Sequence, residues 1–355
     1  MKTILIILDG VSEEIIPELN NMSPLEYANT PTLNKIIKEG IHKKTTFYPL
    51  NRNPDSLNCI LSILGLEESL IPKNRAYLEA IAAGINIEDD EVVLRCNLVS
   101  IKNNKLESFN GHGLSKSEMK CFVHNVKTRK EIKFYHISDY RSLIVVKKNK
   151  EITSLEDIPP HENMGQSMDD MFKHIKNIDI LNEFVMENQT MTNNCNYMLY
   201  PWGVSEAVKL PSFLSLHNKS CSCVCSAEIV KGISQSMEID LAKLKNSTGD
   251  VDTDLVEKSN AVLNEIKTHD VVIAHINGTD EISHRKDMHG KIEFIEKIDR
   301  EFLSEIYKNV DKHIKIIIVS DHQTSTKTGK HEKGFVDIIM SINQMEGMVS
   351  KWLKL

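Results

Sequence analysis

The chain has 355 residues, 41% apolar and 26% charged, which suits an ordinary globular protein of two domains, or one domain with a large insertion. A formal net charge of −7 leaves no basic footprint and argues against a nucleic-acid partner. No apolar run approaches the roughly 18 residues of a membrane span, so no membrane partner is expected either.

In chain order, "MKTILIILDG" predicts a first strand over 4–8 rather than a signal peptide, because Asp9 closes the apolar run where small residues would be needed. A helix over 32–39 follows Pro31. "RNPDSLNCILSILG" at 52–65 is a loop running into an apolar segment, with Ser56 at the junction. Its hydroxyl would lie near helix-terminal N–H groups that favour anionic charge, although taken alone the residue reads first as a plain N-cap serine. "CSCVC" at 221–225 places three sulfurs on one face of a strand, where small buried thiols are common, so a structural role is expected. Seven cysteines without framework spacing suit reduced thiols in a cytoplasm. A helix over 254–267, a strand over 271–276, a helix over 291–308 and a strand over 316–319 complete the pattern. Short, β-branched apolar strands between helices predict an α/β fold with a mainly parallel sheet covered on both faces.

Each of three strands runs out into side chains with ligand chemistry. The first ends in Asp9-Gly10, the second in "HINGTDEISH" with Asp280 and His284, and the third in Asp321-His322, with His331 nine residues on. In open α/β sheets, sites gather beyond the carboxyl ends of the strands. A spacing of four puts Asp280 and His284 on one face of a helical turn. Taken singly, Asp9-Gly10 reads as a turn, Asp280 as a helix cap, and His284 as part of a solvated face. Taken together, three Asp and three His suit borderline divalent ions such as Mn²⁺ or Zn²⁺. Six ligands exceed one tetrahedral site, so two neighbouring metals form the economical hypothesis.

The motifs "ILDG", "SPLEYANTPTLNKIIKEG", "LSILG", "LEA", "RCNLVS", "YRSLIVV", "LPSF", "KGI", "STGDVDTD", "DEISH" and "VSDH" run from the first strand to the last. With them the chain resembles the archaeal-type 2,3-bisphosphoglycerate-independent phosphoglycerate mutases of the alkaline phosphatase superfamily. The resemblance implies an alkaline-phosphatase-like core over 1–84 and 205–355, with a smaller α+β cap domain inserted at 85–204. The polar stretch 148–200 would then be hinge and cap surface. It implies that Asp9, Ser56, Asp321 and His322 hold one metal, and that Asp280, His284 and His331 hold the other. The ions would be Mn²⁺, with Zn²⁺, Co²⁺ or Mg²⁺ as alternatives, and no 2,3-bisphosphoglycerate would be required. Ser56 would be the nucleophile that takes the phosphoryl group. Arg95, Arg141 and Lys231 match positions expected to grip phosphate or carboxylate, with Arg141 and Lys231 close to the chemistry. Arg75 matches a further arginine whose role is less defined.

The implied activity interconverts 3-phosphoglycerate and 2-phosphoglycerate through a phosphoserine, in a cytoplasmic glycolytic isomerase acting on a small phosphorylated substrate. Oligomeric state is not legible. The chain departs from the family on the substrate side. The family's P-G-S-D at the nucleophile is here Pro54-Asp55-Ser56-Leu57, two glycines have become Asn74 and Ala76, and "WGQG" has become "WGVS". Asp55 would add charge beside the nucleophile, and repulsion at ~5 Å is about 3 kcal/mol at an effective dielectric near 20. Two alternatives therefore stay open. One is a phosphotransferase or phosphohydrolase of the same superfamily acting on another small phosphate or phosphonate, and the other is a non-catalytic binding protein.

Overall fold

A computed structural model describes residues 2–192 and 195–341, which form two compact units. The larger comprises 1–71 with 210–355, and the smaller comprises 72–209. The sequence reading put these boundaries at 84 and 204. Residues 72–84 go with the smaller unit because Ala76 and Ala80, on the helix Ala76–Ala82, pack against Val93, Leu143 and Val145.

The larger unit is built on a seven-stranded sheet, in the order Asp240–Leu241, Cys221–Val224, Val271–Ile276, Thr3–Leu8, Lys315–Val319, Val336–Met340, Ile41–Thr45. The first five strands are parallel, and the last two run antiparallel to their neighbours. Thr3–Leu8 lies in the middle and is buried throughout, as its unbroken apolar run requires. On one face Ile4, Ile6 and Leu8 join Val272, Ala274, Ile276, Ile316 and Ile318 under Phe294, Ile298 and Phe302. The register pairs Leu8 with Ile276 and Ile7 with Val319, so the three strands end nearly level. The segments that follow them are delivered to one rim.

The expected helices are present over Pro31–Glu39 and Leu255–Glu265. The third runs over Met288–Ile298, then loosens into a π-turn at Asp299–Leu303 before resuming over Ser304–Asn309. Asp299 explains the pause: its carboxylate turns from its own helix to accept Thr32 N at 3.1 Å and Leu33 N at 2.7 Å, at the start of Pro31–Glu39. Cys221, Cys223 and Cys225 are buried free thiols, the structural role expected of them.

The smaller unit is α+β. Its six-stranded sheet is antiparallel throughout, in the order Ile132–Ser138, Arg141–Lys147, Glu91–Lys102, Cys195–Glu206, Gln189–Thr192, with Lys105–Ser108 paired to Glu91–Lys102. Helices such as Asp179–Glu187 bury Leu181, Phe184 and Val185 into its core. Among the described residues no helix is long and apolar enough to cross a membrane.

Candidate metal centre

The rim of the larger unit gathers the acid-bearing strand ends. Asp9 follows the first strand, and Gly10 turns the chain at φ +60°. A Cβ at Gly10 would meet Thr324 and, at 2.8 Å, Asp280 Oδ1, so only glycine lets the backbone pass this close to the cluster. Asp321 follows the third strand, and its Oδ1 accepts from Gly10 N at 3.1 Å and His322 N at 2.9 Å. His322 Nε2 then sits 3.3 Å from Asp9 Oδ1, 3.4 Å from Asp321 Oδ2 and 3.3 Å from Ser56 Oγ. These four are the residues expected around one metal.

The second set assembles beside the first. The short helix Gly278–His284 places Asp280 Oδ2 3.1 Å from His284 Nε2, as a spacing of four on a helix requires. The chain beyond His322 forms a small hairpin, Gln323–Thr324 against His331–Glu332, which returns His331 to within 3.4 Å of Asp280 Oδ1. The His322 and His331 rings lie 4.0 Å apart, and His331 and His284 5.0 Å apart. Thr324 Oγ1 donates to Asp280 Oδ1 at 2.6 Å, and the Gly329 carbonyl lies 2.8 Å from His284 Nδ1, leaving Nε2 to face Asp280.

Donor chemistry tests whether a cation fits. Ligand atoms of Asp9, Asp321 and His322 lie within 4.8 Å of one another, as do those of Asp280, His322 and His331. Asp9 Oδ1, Asp321 Oδ2 and His331 Nε2 are buried without a hydrogen-bond partner. Orphaned acceptors of this kind cost about 1–3 kcal/mol each unless something binds them. Burial, with Asp321 and Asp280 nearby, pushes Asp9 well above the usual carboxylate range. Burial and Asp280 push Asp321 up to about 7, against the N–H groups of Gly10 and His322. Burial works the same way on Asp280, but the His331 and His284 imidazoles outweigh it and hold Asp280 well below that range. Burial, with His331, draws His322 down to about 3, which leaves a neutral imidazole able to ligate. Three buried carboxylates and three imidazoles fit a divalent ion, by charge and by donor type.

Ser56 opens the helix Ser56–Ile63, but Asp55 is its N-cap. The Asp55 carboxylate accepts from Asn58 N at 2.8 Å and from Asn58 Nδ2 at 2.9 Å, and Arg52 Nη1 donates to Asn58 Oδ1 at 3.1 Å. The residue that departs from the family pattern thus fastens the first turn of this helix, and the Ser56 hydroxyl faces His322.

The remaining expected residues have neighbours of their own. Lys231 is half-buried on the helix Glu228–Ser236, within electrostatic reach of Cys225 and Lys258. Arg75, Arg95 and Arg141 belong to the smaller unit. There Glu79 bridges Arg75 Nε and Arg95 Nε, at 3.0 Å each, and Arg95 stacks over Trp202. Burial and the neighbouring Arg75 draw Arg95 down to about 10.

Sequence reasoning missed the struts behind the site. Lys291 is fully buried, and donates to Glu13 Oε2 at 3.0 Å and to the Thr324 carbonyl at 2.9 Å. Glu13 Oε1 accepts from Thr326 N at 2.6 Å and Thr326 Oγ1 at 2.9 Å, so this pair pins the loop between His322 and His331. One signal was readable: Lys291 falls on the apolar stripe of Ile295 and Ile298, where a solvated lysine does not belong. His275, buried inside the second strand, was also missed.

The sequence pattern of the metalloenzyme superfamily matches residues 1–351. A 2,3-bisphosphoglycerate-independent phosphoglycerate mutase of Methanosarcina acetivorans is 26% identical over 352 residues, covering 94% of this chain and 88% of that protein. One from Methanococcus aeolicus is 27% identical, covering 96% and 88%. Among solved structures, a Pyrococcus horikoshii protein superposes with a TM-score of 0.74 at 22% identity, over 96% of this chain and 87% of that one. A cofactor-independent phosphoglycerate mutase of Thermoplasma acidophilum gives 0.58 at 18% identity, over 98% and 91%. These two establish the likeness of fold. With its pattern matched over nearly its whole length, and a buried ligand set that fits a divalent cation, the chain belongs to the metalloenzyme superfamily.

Proposed function

We propose that this protein is a cofactor-independent phosphoglycerate mutase, interconverting 3-phosphoglycerate and 2-phosphoglycerate through a phosphorylated Ser56. The observation that carries the reading is Ser56 Oγ 3.3 Å from His322 Nε2, at the edge of a buried Asp/His cluster. Likeness to named mutases along almost the entire chain supports it.

Two divalent ions are proposed, Mn²⁺ first, one among Asp9, Ser56, Asp321 and His322 and one among Asp280, His284 and His331. When bound, they would lower the pKa of the serine hydroxyl and neutralise charge on the phosphoryl oxygens. Ser56 Oγ forms a bond to phosphorus as the bond to the substrate's 3-oxygen breaks, and the serine proton ends on the released 3-hydroxyl. The glycerate stays bound and reorients, and its 2-oxygen bonds to phosphorus as the Ser56 Oγ–P bond breaks, the 2-hydroxyl proton ending on Ser56 Oγ. Phosphoryl transfer asks the chain mainly for positioning, which the Asp55 cap and the Glu13–Lys291 pair supply to the nucleophile and to the histidine loop. Arg75, Arg95, Arg141 and Lys231 are proposed to hold the substrate's anionic groups, the arginines by their bidentate fork. The residues 72–209 are proposed to serve as the cap domain, and the seven free thiols suit a cytoplasmic setting.

The second reading, transfer or hydrolysis of another small phosphate or phosphonate, is favoured by Asp55 and Leu57 beside the nucleophile. Incubation of the Mn²⁺-loaded protein with 3-phosphoglycerate separates the two. The mutase reading expects 2-phosphoglycerate without inorganic phosphate. Glycerate plus phosphate, or no turnover of 3-phosphoglycerate, defeats it.

A further inference from the structure

His275 lies in the strand Val271–Ile276, opposite Ile7 in register, and is fully buried. Its neighbours in sequence are Val271, Val272, Ile273, Ala274 and Ile276, so an apolar residue would complete the strand at lower cost. Neither ring nitrogen has a hydrogen-bond partner among the described residues. Two such nitrogens away from water cost several kcal/mol by general experience with buried polar groups. A carboxylate beside the ring explains why that cost is tolerated. Nε2 lies 3.1 Å from Asp9 Oδ2, at hydrogen-bond distance but off its line. The other oxygen of the same carboxylate, Oδ1, faces His322 Nε2 at 3.3 Å and is itself orphaned. Asp9 therefore presents one oxygen to His275 and the other to the ligand cluster. The His275 backbone is anchored from behind, its carbonyl accepting from the buried Lys258 Nζ at 3.0 Å.

We infer that His275 is a positioning residue of the metal centre: with an ion bound, its Nε2–H would swing into line with Asp9 Oδ2, so that Oδ1 stays turned toward the ion held with Asp321 and His322. Metal-ligating carboxylates are commonly held by a hydrogen bond to the oxygen that does not ligate, and loss of such a partner weakens binding by about 10–100-fold. The inference rests on the metal-centre reading, but not on the identity of the substrate.

The test is Mn²⁺ titration calorimetry on the full chain, with thermal unfolding in EDTA, for wild type, His275→Leu and His275→Gln. For His275→Leu the affinity of one bound ion should fall about 10–100-fold. Its metal-free unfolding midpoint should match or exceed wild type, because an orphaned imidazole has been removed. His275→Gln keeps an N–H donor and should recover most of the lost affinity. The inference is overturned if both variants bind Mn²⁺ like wild type, or if both lose metal-free stability with no change in affinity, which is the signature of packing alone. Equal losses of affinity in Leu and Gln would also overturn it, since the donor would then be irrelevant. Absence of Mn²⁺ binding by wild type would remove the metal-centre reading itself, and this inference with it.

Discussion

The two units bury charge in opposite ways. At the rim of the larger one, Asp9, Asp280 and Asp321 are buried together, and two of the three are forced above the usual carboxylate range. In the smaller one, Arg95 is buried with its own counter-charge, Glu79, which it shares with Arg75. The first arrangement is frustrated without an added cation. In the second, each guanidinium has a carboxylate oxygen to pair with, and the cost lies in losing that partner rather than in lacking one. Carboxylates that the protein leaves without counter-charge mark where a cation belongs, whereas the paired guanidiniums already hold one another in place through Glu79.

That contrast can be broken at several points. The largest effect is expected at Ser56, whose role depends on the unbalanced rim. Ser56→Ala should reduce phosphoryl transfer at least about 10⁴-fold while costing about 1 kcal/mol or less of stability, since Asp55 and not Ser56 caps the helix. Retained transfer, measured by product formation, would remove Ser56 as the carrier. Next is the paired cluster of the smaller unit. Glu79→Gln leaves Arg95 buried without its carboxylate and should cost about 3 kcal/mol in urea unfolding. A cost within about 0.5 kcal/mol would mean that the pair behaves like a surface bridge.

The pH dependence of stability has a sign that the rim sets. Burial pulls His284 down, but Asp280 outweighs it and raises His284 from 6.5 to about 9. Above its unfolded value the folded, metal-free protein holds a proton that the unfolded chain has released. Stability should therefore decline as pH rises from about 6.5 to about 8. Above that, Lys258, drawn by burial down to about 8, opposes the trend. With Mn²⁺ present the direction should reverse, because the ion needs an unprotonated imidazole. Thermal melts of wild type and His284→Gln check this, and identical slopes in the two would refute it.

The smallest effect concerns Asp55. Asp55→Ala should cost about 1 kcal/mol, and Asp55→Asn much less, because the amide oxygen still accepts from Asn58. With its carboxylate tied to Asn58, its charge should not obstruct transfer, and Asp55→Asn should leave turnover nearly unchanged. A tenfold rise would show that the charge repels the phosphoryl group after all.

The rim was legible because its ligands sit just beyond apolar strands whose ends advertise themselves, and because Asp280 and His284 carry a helical spacing. The struts were not, since Glu13 and Lys291 are 278 residues apart and only the fold makes them neighbours. His275 was hidden for a related reason: inside an apolar strand it interrupts the run without signalling which group it faces. Ser56 was read as either cap or nucleophile, and one residue of register removed the first reading, with Asp55 taking the cap. The boundary near 72 escaped because Ala76–Ala82 is too short to show which core it serves.

The position of Thr3–Leu8 bears on how the chain is made. The strand synthesised first sits between Val271–Ile276 and Lys315–Val319, both of which leave the ribosome long afterwards. Until then a run of Ile4, Leu5, Ile6, Ile7 and Leu8 has neither edge paired and is a template for stray strand addition. The nascent protein thus has reason to depend on chaperone cover for most of its synthesis. Asp9, the first ligand made, waits for His331 before the cluster exists at all.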